Sequence, residues 1–298
     1  MIGSNKHKKR VFIGSCCGNS FVIMDSRDSE LAQQVKSDFA QKNIVEYGVD
    51  SALFLNKSNG LDFLMEVFEK DGSESDSCGN GAIAVAYLLG VDTGIVEMKG
   101  NVALISGDSE KQGISMNVKL SLIKEMGDGE EKCVFVKMGE PHLIYLVDDI
   151  HSFDLVRIGE AMQVKYTDGV NIDAIQKVSD SCYLIRTYER GVFRETQSCG
   201  TGSLSAYVAI SHFDDTVYTA PIEFRSAGGS HWVSRDKNML TLEALKTSCE
   251  VKEVAYFNEA RAFFDVMVYL KQNIKNIVNF PKRFLLKMRA AFIKLKTS

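Results

Sequence analysis

Proline is nearly absent from this chain of 298 residues, with 3 in all, which excludes Pro-rich linkers and stalks. Long apolar runs are missing too. None reaches the ~18 residues that suggest a membrane span, and the basic start MIGSNKHKKRVFIGSCC has no apolar stretch of signal-peptide length. We read a cytoplasmic protein whose 7 cysteines stay reduced. CxxC pairs and zinc-type Cys/His spacings do not occur, and the adjacent pair Cys16–Cys17 suits neither a metal site nor a disulfide framework. A thiol that matters here matters as a thiol.

Positive charge is scarce in the body and concentrated at the end. From Val254 to Ser298 nine Lys and Arg face two Asp and Glu, whereas the rest of the chain carries 26 against 37. The acidic body argues against a nucleic-acid partner. The tail reads as two amphipathic helices broken at Pro281. The second sets Lys282, Arg283, Lys287, Arg289, Lys294 and Lys296 around Phe284, Leu285, Met288, Phe292 and Leu295. Such a helix packs on its own domain or on a homodimer mate; a membrane surface or a protein partner is the alternative.

What is present is a phrase written twice. SDSCGNGAIAVAYLLG at Ser75–Gly90 returns as TQSCGTGSLSAYVAIS at Thr196–Ser211, with the cysteines Cys78 and Cys199 offset by 121. Gly18 and Gly139, Ser106-Gly107 and Ala227-Gly228, and Asn117 and Asn238 share that offset. Short apolar runs such as RVFIGS, ALFLN, VALISG, CVFVKMG and HLIYLV read as strands, and SELAQQVKSDFAQK as an amphipathic helix capped by Ser29. The segment after each cysteine is apolar on every side, as a buried helix is. The fold class expected is α/β, with two pseudo-symmetric duplicated domains, each a curved sheet wrapped around a central helix. Their bounds are 10–126 with Cys78 and 132–254 with Cys199, joined at Gly127–Lys132, and a basic helical extension follows at 258–298.

A Cys-Gly-x-Gly at a helix start has chemical consequences. The first N–H groups of a helix are unpaired and its dipole is positive there, so the site suits a carboxylate. The same field favours a thiolate. Two such starts facing one cleft would set a thiol on each face of one carbon. One thiolate removes a proton while the other thiol delivers one, which is racemisation, and the arrangement requires no cofactor and no metal.

DGSESDSCGNG at Asp71–Gly81, GEPH at Gly139–His142, GVNID at Gly169–Asp173 and YERGVFRETQSCGTG at Tyr188–Gly202 closely resemble the signature blocks of the diaminopimelate epimerase family, as do GNSF near the start and AGG at Ala227–Gly229. The resemblance spans about residues 10–250. It implies a pyridoxal-independent amino-acid racemase or epimerase with Cys78 and Cys199 as the base and acid pair. It implies that the amides of Gly79, Asn80, Gly200 and Thr201 hold the reacting carboxylate. Asn19 and Asn171 would line the pocket, Glu189 and Arg190 would contact the substrate's amino and carboxylate groups, and His142 would give polar support near the thiols.

Four positions depart from the family pattern. Glu69 stands for an asparagine, Glu140 for another, and Ser51 for a glutamine, while the ERG block is lengthened by one residue at Phe193–Arg194. Two glutamates disfavour the distal carboxylate of diaminopimelate and favour a cationic side chain such as that of lysine, ornithine, arginine or histidine. A racemase for such an amino acid is therefore the alternative to diaminopimelate epimerisation. A thiol oxidoreductase and a non-catalytic binding or membrane-docked relative are the rivals from other classes.

Overall fold

The protein is described by a computed structural model over residues 8–99, 101–117, 123–125 and 132–258. Residues 10–255 form one compact unit. The second unit joins 1–9 with 256–298, so the expected tail helices lie outside the described residues. Among the described residues no helix is long and apolar enough to cross a membrane.

The first half runs β1 (Lys8–Cys16), β2 (Asn19–Asp25), α1 (Gln33–Tyr47), β3 (Ser51–Asn56), β4 (Phe63–Phe68), β5 (Glu74–Ser75), α2 (Gly79–Leu89), β6 (Thr93–Met98), β7 (Asn101–Gly107) and β8 (Lys111–Asn117), followed by β9 (Ile123–Glu125). The second repeats the order with β10 (Lys132–Met138), β11 (Glu140–Leu146), α3 (Leu155–Lys165), β12 (Asn171–Ser179), β13 (Cys182–Glu189), β14 (Arg194–Thr196), α4 (Gly200–Phe213), β15 (Ile222–Ser226), β16 (Gly229–Asp236) and β17 (Met239–Leu245), followed by β18 (Cys249–Asn258).

The pairings repeat as well. Each half has a hairpin, a parallel step, an antiparallel pair with a short third strand, a second parallel step and an antiparallel meander. Antiparallel pairing of β8 with β17 joins the halves across a pseudo-twofold axis. The closing strands exchange places: β9 pairs with β10 of the second half, and β18 with β1 of the first.

The offset is 121 at Gly18/Gly139 and at the cysteines, drops to 120 between them where Ser51 matches Asn171 and Phe68 matches Tyr188, and changes again beyond the cysteines. Helix α4 has 14 residues against 11 in α2, and β17 starts at Met239 against Lys111 for β8, an offset of 128. The matches of Ser106-Gly107 with Ala227-Gly228, and of Asn117 with Asn238, are therefore coincidental. Helix α1 also begins later than its pattern suggests. Its N-cap is Ala32, because Leu31 turns into the core and the Ser29 amide closes a turn onto Ser26 O (3.2 Å).

Helices α2 and α4 are buried along most of their length, as their all-apolar sequences require. α2 packs on β2, β8, β17 and α4, and α4 packs on β10, β11, β12, β16 and β17. One core cluster takes Phe21, Leu53 and Ile83 from the first half and Leu204, Tyr207 and Leu242 from the second. Each such side chain contributes about 1.5–3 kcal/mol when fully buried, so the central helices are fixed as a pair and their first turns meet.

Candidate active site

The two cysteines cap the two central helices. Cys78 Sγ accepts from Gly81 N at 3.3 Å, and Cys199 Sγ accepts from Gly202 N at 3.3 Å. Serine or aspartate usually fills this position. A sulfur there leaves a reactive atom at the positive end of the helix. The two ends abut: a Cβ on Gly79 would lie 3.4 Å from Gly200 Cα, and a Cβ on Gly200 would lie 3.0 Å from Asn80 N. Only glycine permits that approach.

Cys78 and Cys199 line one cavity. Of the residues expected at the site, Asn19, Ser51, Glu69, Gly79, Glu140, Asn171, Glu189, Arg190, Gly200 and Thr201 line it. Asn80 and His142 do not. The Asn80 amide turns between the helices and donates to Ser198 Oγ (2.9 Å), and His142 is fully buried behind Thr201. Three lining residues escaped the sequence reading: Val67, Ser75 and Ser77. Strand alternation held the signal, since Val67 and Glu69 share a face of β4 and its continuation. Ser75 and Ser77 likewise alternate toward Cys78. Ser77 Oγ is buried with no partner among the described residues.

One glycine loop braces both walls. A Cβ on Gly228 would fall inside the carbonyl group of Cys17, and Gly228 N donates to Gln197 O at 2.8 Å. Ser198 Oγ also donates to Cys17 O, at 2.6 Å. The turn leading to Asn19 and the strand leading to Cys199 are thereby held together. Asp50 adds a latch, accepting from Ser20 N (2.9 Å) and pairing with Arg194 of the other half. The lengthened block thus sits at the rim, with Phe193 exposed at a φ of 57°.

Cys199 ends a hydrogen-bond chain. Arg190 N donates to Asn171 Oδ1 (2.9 Å), which turns Asn171 Nδ2 toward His142 Nε2 (3.3 Å) and makes that nitrogen an acceptor. The ring proton then lies on Nδ1, donated to Asp173 Oδ2 at 2.6 Å. Thr201 Oγ1 is 3.0 Å from His142 Nε2 and 3.3 Å from Cys199 Sγ. Cys78 has a poorer partner, Asn19 Oδ1 at 3.8 Å. By β-ladder register, Phe21 and Leu53 occupy the places of His142 and Asp173 in the first half.

The helix field was expected to favour thiolates, but the opposite effect wins. Burial pushes both thiols above their ordinary range; the carboxylates of Glu189, Glu69 and Glu140 add to it at Cys78, and those of Glu189 and Asp173 at Cys199. Burial likewise pushes Glu69 up to about 7 and Glu189 up to about 8. Glu140 forms an ion pair with Arg190 and accepts from Asp76 N at 2.8 Å.

Fold and site define an isomerase of the racemase and epimerase class, built from two copies of one unit around a shared cavity. Residues 11–127 and 134–243 match the family model described as diaminopimelate epimerase. The diaminopimelate epimerase of Thermotoga maritima is 29% identical over 246 residues, covering 79% of this chain and 98% of that protein. That of Aquifex aeolicus is 30% identical over 236 residues, covering 71% and 84%. Among solved structures, a hydroxyproline epimerase from Agrobacterium vitis is similar with a TM-score of 0.60 at 14% identity, over 86% of this chain and 93% of that one. A phenazine biosynthesis PhzF-family protein from Enterococcus faecalis is similar with a TM-score of 0.60 at 14% identity, over 84% and 98%. These two share the fold. The chain belongs to the diaminopimelate epimerase family.

Proposed function

We propose that this enzyme inverts the α-carbon of an amino acid by proton transfer between Cys78 and Cys199, with no cofactor. The observation that carries the reading is the pair of thiol-capped helix starts, abutting at Gly79 and Gly200 and opening on one cavity. The unpaired first-turn N–H groups of both helices suit the α-carboxylate. The α-ammonium meets a glutamate, and its positive charge offsets the carboxylates that add to burial in keeping the thiols protonated. The Thr201–His142–Asp173 chain gives Cys199 a route for its proton, so Cys199 is the thiol that starts as base. Cys78 then protonates the opposite face, and the reverse reaction exchanges the roles.

The relatives are named for diaminopimelate, which supports it as the reference substrate. The proposal includes a cytoplasmic enzyme, a homodimeric assembly, and a basic extension after 258 that docks on a partner or a membrane surface. It also keeps 10–126 and 132–254 as the two racemase halves. Purified protein in D2O tests the chemistry: amino-acid substrates lose their α-proton signal and gain the opposite configuration. Persistence of inversion in both Cys78→Ala and Cys199→Ala would reject the two-thiol mechanism.

A further inference from the structure

The pseudo-symmetry sets the same carboxylate in the cavity twice. Phe68 pairs with Ala52 as Tyr188 pairs with Ile172, so Glu69 and Glu189 are equivalent. Each is held by a hydroxyl from the short third strand: Ser75 Oγ donates to Glu69 Oε1 at 2.6 Å, and Thr196 Oγ1 donates to Glu189 Oε1 at 2.6 Å. Ser51 Oγ adds a bond to Glu69 Oε2 at 3.2 Å. Neither carboxyl has a cationic partner in the cavity wall, and both are raised toward neutrality by burial.

Among the described residues the cavity wall has a single guanidinium, that of Arg190, and it is already engaged. It pairs with Glu140, and its Nη1 donates to Asp168 O at 2.8 Å. Glu140 therefore does not act as an open carboxylate in the pocket. It acts by occupying the one group that could hold a second anion. Once ionised, as a bound cation makes them, the three glutamates against one arginine leave an excess of two negative charges. An α-ammonium balances one. The α-carboxylate goes to the helix starts and leaves the count at the far end unchanged. Only a second cation, carried on the side chain, balances the other. A second carboxylate would meet an uncompensated glutamate and an occupied arginine.

We infer that the substrate of this enzyme is a basic α-amino acid with one carboxylate, its side chain ending in an ammonium, guanidinium or imidazolium group. Glu69 and Glu189 are its two cation seats, and Glu140 sets specificity by withdrawing Arg190 from anion binding. The inference rests on the two-thiol reading above.

The test follows α-proton exchange and inversion by the full-length protein on L-lysine, L-ornithine, L-arginine, L-histidine, diaminopimelate isomers, L-alanine and L-methionine. The expected result is a kcat/KM for at least one basic amino acid about tenfold or more above that for diaminopimelate and for the neutral residues. Preference for diaminopimelate over every basic amino acid overturns the inference and leaves the two-thiol reading standing. Absence of exchange on every compound overturns both. Glu69→Asn combined with Glu140→Asn should move the diaminopimelate-to-basic ratio of kcat/KM about tenfold or more toward diaminopimelate; an unchanged ratio in folded protein overturns the role of these glutamates. Calorimetric binding of L-lysine and L-arginine to the Cys78→Ala/Cys199→Ala protein gives a readout free of turnover. There Glu69→Gln should weaken binding of the preferred ligand about tenfold or more, and equal affinity counts against the second cation seat.

Discussion

At the scale of single residues, the site is two thiols in unequal surroundings. Cys199 has a polar chain to a buried His–Asp pair, and Cys78 has one distant amide. On the proposed two-thiol mechanism, each thiol alone still serves one face of a carbon. Cys78→Ala and Cys199→Ala should each lower inversion by roughly 10²–10⁴-fold, the usual worth of a positioned acid or base. In D2O the two variants should exchange the α-proton of opposite enantiomers without inverting them, read by NMR on each pure enantiomer. Exchange of the same enantiomer by both would contradict thiols on opposite faces.

The glutamates give a pH dependence of fixed sign. Glu69 and Glu189 are raised to about 7 and about 8 from an ordinary value of 4.5. Their protonated forms are the stable ones in the ligand-free fold. That contribution is full below the unfolded value and is lost as pH rises through 7 and 8. Ligand-free protein should therefore lose thermal stability as pH rises from about 4.5 to about 8, and Glu69→Gln should flatten that fall. A cationic ligand needs the ionised form, so its affinity should rise over the same window, with proton release seen by calorimetry in buffers of different ionisation enthalpy. Affinity falling with pH would refute the cation seats.

At the scale of elements, buried polar contacts decide where helices and turns sit. Lys36 on α1 is fully buried and pairs with Glu66 on β4, which also accepts from Gln33 Nε2 at 2.7 Å. Lys36→Met should cost about 3–5 kcal/mol by leaving a buried carboxylate without its cation, and Lys36→Met with Glu66→Met should recover most of it. Denaturant unfolding of the single and double variants measures both. Gly228→Ala forces a methyl into the Cys17 carbonyl and should cost about 1–3 kcal/mol or more. It should also slow turnover, because the same loop holds the turn before Asn19 and the strand before Cys199.

Much of this was legible in the chain. The strands declared themselves as short apolar runs, the central helices as all-apolar stretches, and twelve of the pocket-lining residues, the two cysteines among them, through the motif blocks. Other features were hidden because they depend on what packs alongside. Nothing local in Glu140 shows that Arg190, fifty positions later, will take its charge. Ser29 looks like a cap until Leu31 is drawn into the core. Burial lifts the thiols where helix-end chemistry alone would lower them.

At the scale of the whole molecule, each half ends in a strand that completes the other. Residues 1–125 and 126–298 made as separate chains should each fail to give a cooperative melt alone. Mixed, they should assemble one to one with a single transition and recovered activity, measured by calorimetry and size-exclusion chromatography. A cooperative melt from either fragment alone would show that the exchanged strand is dispensable.

The exchange of β9 and β18 also bears on ancestry. A single repeat holds one cavity-lining thiol, one glutamate seat and a strand that pairs with the other repeat, so two identical copies would complete each other as a twofold dimer. In such a dimer every residue at the cavity would be forced to appear twice. Fusion into one chain removes that constraint while keeping the copies in fixed proportion. Phe21 and His142, at matching positions, are what that freedom looks like: one wall stays greasy while the other gains a path for a proton.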